Sequence, residues 1–360
     1  MKPILVLVAV WLCGVAGGLV AGERTRPVRD DVGFCWRAAE MDRLVQYLET
    51  QAAGRPPSFP VVAGVAPHDD YLYAGRVAWS VLSRIEAPEV VIFGVTHGTV
   101  RREIGDPQGV VLLDTFPQWT GPYGPVAVSP LRERLRREMP AAMVRVDDRA
   151  HELEHSIESL VPYLQSRHRN LRITPVMVTA MTPARLREVA EAMAGVIAGY
   201  VKEGGLLPGR DIAFLVSADA NHYGPDFDNV PWGVDEAAHQ RAVALERQIA
   251  GEVFSGEWGT GRLDVIEARL WPGAGKPVPQ WCGRYSIPFG LTVADRVLRS
   301  ATGRGMRGEV VACSDTWTGG VLPVKGTGLG ITAPFSLRHW VGFVAAAFGL
   351  SDKVDNSIIK

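Results

Sequence analysis

The chain has 360 residues, 47% of them hydrophobic and 21% charged, a balance that fits a globular protein with a substantial core and excludes a disordered or fibrous one. Lys and Arg total 38 against 39 for Asp and Glu, a formal charge of -1 with no long basic run, so nothing points to nucleic acid. The first 22 residues, MKPILVLVAVWLCGVAGGLVAG, carry one Lys, an apolar run and small residues before the charged ERTRPVRDD. That is the layout of a secretory signal peptide cleaved after Ala21 or Gly22. The run also meets the roughly 20 apolar residues that an uncleaved membrane anchor needs. The expectation is an exported protein, periplasmic or extracellular, whose residues 23–360 form one domain. Beyond this segment the cysteines are Cys35, Cys282 and Cys313, an odd number that leaves at least one thiol free as ligand or nucleophile.

In chain order, PVVAGVA (60–66) reads as a short buried strand, followed by GRVAWSVLSRIEA with Val77, Val81 and Ile85 at helical spacing. EVVIFGV (89–95) is a second strand. In HELEHSIESL (151–160) the three-residue step from His155 to Glu158 predicts a shared helix face, with Glu154 and Glu158 favourable near the positive helix end. LRITPVMVTA (171–180) and DIAFLVSAD (211–219) are further strands. TPARLREVAEAMAGVIAGYV and DEAAHQRAVALERQIAGEVF are helices, the first opened by a Thr182 cap and Pro183. WPGAGKPVPQW (271–281) is a loop, and Cys282 follows it, ahead of another helical pattern. Strands alternating with helices predict a layered α/β/α domain with a mostly parallel central sheet.

In such a sheet, ligands gather beyond the carboxyl ends of the strands. His68 follows the first strand in APHDD, His97 the second in GVTHGT, and Asp219 and His222 another in SADANHYG. One such histidine is ordinarily a loop residue; three at equivalent positions predict a shared site. A thiolate from Cys282 could join two imidazoles on a soft or borderline metal, the plain alternative being a buried inert thiol.

Taken in order, APHDDYLYAG, FGVTHG, EHSIESLVPYLQ, SADANHYGP and CGRYSI resemble the motifs of the Memo-like family, also called AmmeMemoRadiSam system protein B. The resemblance implies a fold like that of class III extradiol dioxygenases, with a metal-capable pocket at the strand ends. It implies His68, His97 and Cys282 as metal ligands, Cys282 standing where those enzymes have a carboxylate. It further implies His222 as the acid/base residue, Asp219 orienting it or its neighbours, and His155 behind the ligands. Asp69 and Asp70 replace a small Ala-Gly pair of the family; one of them could hydrogen-bond a ligand imidazole.

The leading expectation is a non-haem iron or copper site that engages O2 or another small redox substrate, an oxidoreductase of dioxygenase-like fold. A binding module for a peptide or small anion is the alternative, with Arg284 beside Cys282 supplying a bidentate contact or pairing with Asp69 or Asp70. A third reading is zinc-assisted hydrolysis with Glu158 or His222 as base.

Overall fold

The computed structural model describes residues 24–51, 56–271 and 279–354. The leader segment 1–22 and residues 272–278 of the 271–281 loop lie outside the described residues. Four strands make the centre of the sheet: Ala63–Ala66, Glu89–Val95, Arg172–Val178 and Ile212–Ser217. All four are parallel, in the spatial order 172–178, 89–95, 212–217, 63–66. Their carboxyl ends therefore lie along one edge.

These strands read as continuous apolar runs because the sheet is covered on both faces. Along the 89–95 strand, Val91 and Phe93 pack with Leu186, Val189 and Met193 of the helix Pro183–Glu203. The alternate residues, Val90 and Ile92, pack with Val77 and Val81 of the helix Tyr71–Leu82. The helix starts follow the sequence signals. Thr182 accepts the Arg185 N–H at 3.2 Å with Pro183 in the first turn. Asp235 accepts the Ala238 N–H at 2.8 Å at the start of Glu236–Phe254.

Two features depart from the expected pattern. Beside the 63–66 strand the sheet continues into a long antiparallel pair, Arg304–Asp315 and Trp340–Val354, which the sequence reading leaves unassigned. The predicted helix through His155 and Glu158 is broken. A helix ends at Leu153, Glu154 is extended at φ -94° and ψ 136°, and a short 3-10 turn spans Glu158–Leu160 before the helix Val161–Arg167. The cause is the Glu154 carboxylate, which accepts the N–H groups of His155 (2.8 Å) and Ser156 (2.9 Å) and so holds the chain in a non-helical turn. His155 and Glu158 thus share no helical face.

Among the described residues no helix is long and apolar enough to cross a membrane. Cys35, Cys282 and Cys313 are all free thiols.

Candidate metal centre

His68 leaves the 63–66 strand fully buried, and its backbone N–H donates to Asp219 Oδ1 at 2.9 Å. Its Nδ1 lies 2.8 Å from Ser217 Oγ, whose own hydrogen goes to the Ser156 carbonyl. The serine must then accept from Nδ1–H, which leaves the Nε2 lone pair of neutral His68 free. His97, at the end of the 89–95 strand, is fixed the same way by a different group. Its Nδ1 is 2.8 Å from Glu154 Oε1 and its backbone N–H donates to Glu154 Oε2 at 2.9 Å. A carboxylate only accepts, so here too Nε2 is the available nitrogen.

Cys282 comes to these imidazoles from the far side of the sequence. Its sulfur accepts the Asp219 N–H at 3.0 Å and sits 3.7 Å from His68 Nε2. Gly283 allows this approach, because a Cβ there would stand 2.3 Å from the Ala218 side chain. One nitrogen from each of His68 and His97 and the Cys282 sulfur all lie within 4.8 Å of one another. Two borderline imidazoles and a thiol suit a transition metal, and each imidazole has the second hydrogen bond that ligand histidines ordinarily have. Burial pushes the Cys282 thiol well up, with the Asp219 charge adding to it, so its deprotonation calls for a cation beside it.

Glu154 is the residue that the sequence reading assigned only to helix polarity. It is 2% exposed and takes four N–H donors: two from His97, one from His155 and one from Ser156. Burial would push its carboxyl up, but His97 and these donors outweigh that and hold it well below the usual range. In return, burial lowers the His97 pKa but the Glu154 charge more than reverses it, a net rise. His97, Glu154 and His155 form a second group of potential ligands. Its carboxylate is already committed to the four donors, which favours the His/His/Cys group.

The structure brings most of the remaining candidates to the same cavity, about 870 Å³ in volume. The His155 ring stacks on His97 at 4.8 Å and 4°, and burial drops its pKa to about 4. His222 lines the cavity; its Nδ1 lies 3.2 Å from the carbonyls of Ala220 and Gln280, so Nε2 is left as the base. Burial drops its pKa to about 4, giving a neutral imidazole at pH 7. Asp219, pushed up to about 7 by burial, is bonded to the His68 backbone rather than to His222. It stands by His68 instead of His222, its Oδ2 3.3 Å from Nε2, the nitrogen that faces the site. Asp69 lines the cavity, and burial with the Asp219 and Asp70 charges raises its pKa well above the usual range. Asp70 turns away to hold the 332 segment, accepting the Thr332 N–H at 2.5 Å and hydroxyl at 3.1 Å. Neither aspartate pairs with Arg284, whose guanidinium lies 5.4 Å from the Tyr285 ring centroid.

Glu158 does not join the cavity. Fully buried, it pairs with Arg26 and accepts the backbone N–H groups of Arg29 (2.9 Å) and Asp30 (2.8 Å). A role as base at the metal is therefore replaced by a structural one: three N–H donors, from Arg26, Arg29 and Asp30, converge on it, the Arg29 N–H shared between its two oxygens.

A layered α/β protein whose parallel strand ends gather two imidazoles and a thiol is a candidate metalloprotein. Residues 36–255 match the family model described as Memo-like protein, and the chain belongs to that family. MEMO1 family proteins of Archaeoglobus fulgidus and Aquifex aeolicus are similar to it. The first is 33% identical over 167 residues, 46% of this chain and 57% of the relative. The second is 34% identical over 164 residues, 45% and 54% respectively. The alignments thus span a little over half the length of these relatives. The family match holds His68, His97, Glu154, His155, Asp219 and His222, whereas Cys282 and Arg284 lie beyond its end.

Proposed function

We propose that this protein holds one iron or copper ion on His68 Nε2, His97 Nε2 and Cys282 Sγ and acts as a metal-dependent oxidoreductase on O2 or a small substrate. The observation that carries the reading is the convergence of these three donors within 4.8 Å, with the other nitrogen of each imidazole already committed to Ser217 or Glu154. The bound ion would supply one-electron chemistry and coordination positions that three protein ligands leave open. The chain's own residues do the rest. Glu154 and Ser217 fix which nitrogen each histidine presents. His222, neutral at pH 7, takes a proton at Nε2 from a bound substrate. His155 backs the His97 ring and limits its rotation. We also propose that the protein is exported, on the strength of the leader layout in residues 1–22.

The test is metal analysis of protein purified without oxygen. About one equivalent of iron or copper is expected. His68→Ala, His97→Ala and Cys282→Ala should each weaken metal binding by roughly 10-fold or more, the lower end of what even the supporting hydrogen-bond partners contribute. Unchanged occupancy in all three variants would refute the site.

A further inference from the structure

The cavity wall carries three arginines that the metal reading does not use. The short helix Gly98–Glu103 follows His97 directly and bears Arg101 and Arg102, both of which line the cavity. Their guanidinium groups bracket one glycine. A Cβ built on Gly98 would lie 3.7 Å from Arg101 Nη2 and 3.8 Å from Arg102 Nη1. Two like charges are thus brought to one spot beside a ligand histidine, an arrangement that is unfavourable without a counter-charge.

The protein supplies one to Arg101, through a loose ion pair with Asp106, and among the described residues none to Arg102. The Arg101 Nε is buried and has no hydrogen-bond partner; Asp106 Oδ1 stands 3.8 Å away, beyond hydrogen-bond length. Among the described residues, no carboxylate pairs with Arg102 or with Arg284. Arg284 reaches the same cavity from the other ligand, two residues after Cys282. Four acids line the cavity: Asp226 is taken by His339 at 2.9 Å, Asp219 by the His68 backbone and Asp69 by the Asp70 N–H at 2.6 Å, while Asp228 stands on the wall without pairing with these arginines.

Another part of the cavity lining is different in kind. Phe227 meets His222 edge-on, with centroids 5.1 Å apart, and lies 4.7 Å from the His339 ring. An aromatic shelf therefore stands beside His222, the residue assigned to proton transfer, while the guanidinium-bearing residues adjoin the ligands His97 and Cys282 in sequence. The volume, about 870 Å³, suits a small organic molecule.

We propose that the substrate is a small organic anion, its carboxylate or phosphate held by Arg101, Arg102 and Arg284 and its apolar body lying against Phe227. This rests on the reading of the cavity as the metal site, and it names the substrate class for that site. The guanidinium fork matches the two oxygens of either anion, so the three arginines act as specificity determinants rather than as reacting groups.

The experiment uses the full mature chain, with and without metal, at low ionic strength. Benzoate and phenyl phosphate are the anionic probes and benzyl alcohol the neutral match, each followed by calorimetric titration. The anions are expected to bind at least about 10-fold more tightly than the alcohol, since hydrogen bonds to charged groups are the stronger ones. Which anion binds better identifies the acid group. An Arg102→Gln/Arg284→Gln double variant should remove this preference and leave benzyl alcohol binding and metal content unchanged. Arg284→Lys should restore little of it if the fork matters. Equal binding of all three probes to the wild type, or an unchanged preference in the double variant, overturns the inference. Metal content separates the two readings: anion preference without bound metal sinks the metal site alone, and bound metal without anion preference sinks the substrate class alone.

Discussion

Replacing Glu154 by Gln asks how far a single buried carboxylate sets the ligand geometry. In the wild type, Oε1 takes His97 Nδ1–H, His155 N–H and Ser156 N–H, and Oε2 takes the His97 backbone N–H. Glutamine retains one accepting oxygen. If that oxygen keeps the Oε1 position, the amide NH2 faces the His97 N–H, donor against donor, and one buried charge-assisted bond is lost outright. Such a bond is worth about 1.5–3 kcal/mol. The effect on metal affinity should be about 10–100-fold, the usual range for partners that orient a ligand histidine. The pH dependence has a defined sign. The Glu154 pKa is depressed below its ordinary 4.5, so its contribution to the metal-free fold is present above pH 4.5 and is lost as pH falls below that. The His97 pKa is raised above 6.5, so its part is present below pH 6.5 and is lost as pH rises through the folded value. Together they give a window from about pH 4.5 to 6.5 in which wild type and variant should differ most. The assays are urea denaturation of metal-free protein from pH 3 to 9 and competition for Cu(I) or Fe(II) against a chromophoric chelator. Affinity within about twofold of wild type, together with a flat stability difference across pH, would refute the reasoning.

Other variants probe separate parts of the molecule. His222→Gln should leave metal occupancy intact and lower turnover by about 10² to 10⁴, as expected for loss of a positioned proton acceptor; equal rates at matched occupancy would remove its catalytic role. Glu158→Gln should destabilise the fold by about 3–5 kcal/mol, because Arg26 is left buried without its counter-charge, while metal affinity per folded molecule stays the same. Thermal melts and metal titration on the same sample check both halves. Burial pushes Glu246 up to about 8, so the folded protein holds a proton there that the unfolded chain releases near 4.5. Stability should therefore fall as pH rises from about 4.5 to 8, and Glu246→Gln should flatten that decline in urea melts.

The ends of the central strands were legible because two-sided burial writes unbroken apolar runs, and His68, His97 and Asp219 stand just past three of them. Cys282 could be matched by its motif but not placed by pattern, since its approach depends on Gly283 closing against Ala218, far away in sequence. Glu154 and Glu158 were misjudged for one physical reason. Local spacing treats both as residues of a helix, whereas their partners, His97 and Arg26, come from distant segments and redirect the backbone between them. The 304–315 and 340–354 strands stayed hidden because their register is set by each other and by the 63–66 strand, not by local alternation.

The tie between Arg26 and Glu158 also bounds how the chain can be processed. Arg26 lies just past the proposed leader, in a two-residue strand that pairs with Gln118 and Trp119, and its guanidinium lies 4.6 Å from the Trp119 ring. A peptidase cutting after Ala21 or Gly22 leaves this arginine in place. A cut beyond residue 26 would strip the counter-ion from a fully buried carboxylate and free the turn at residues 29–30 that the same carboxylate grips. Proteolysis and folding are thus coupled at Arg26: protein trimmed past this residue should be recovered as an unfolded species rather than as a shortened native one.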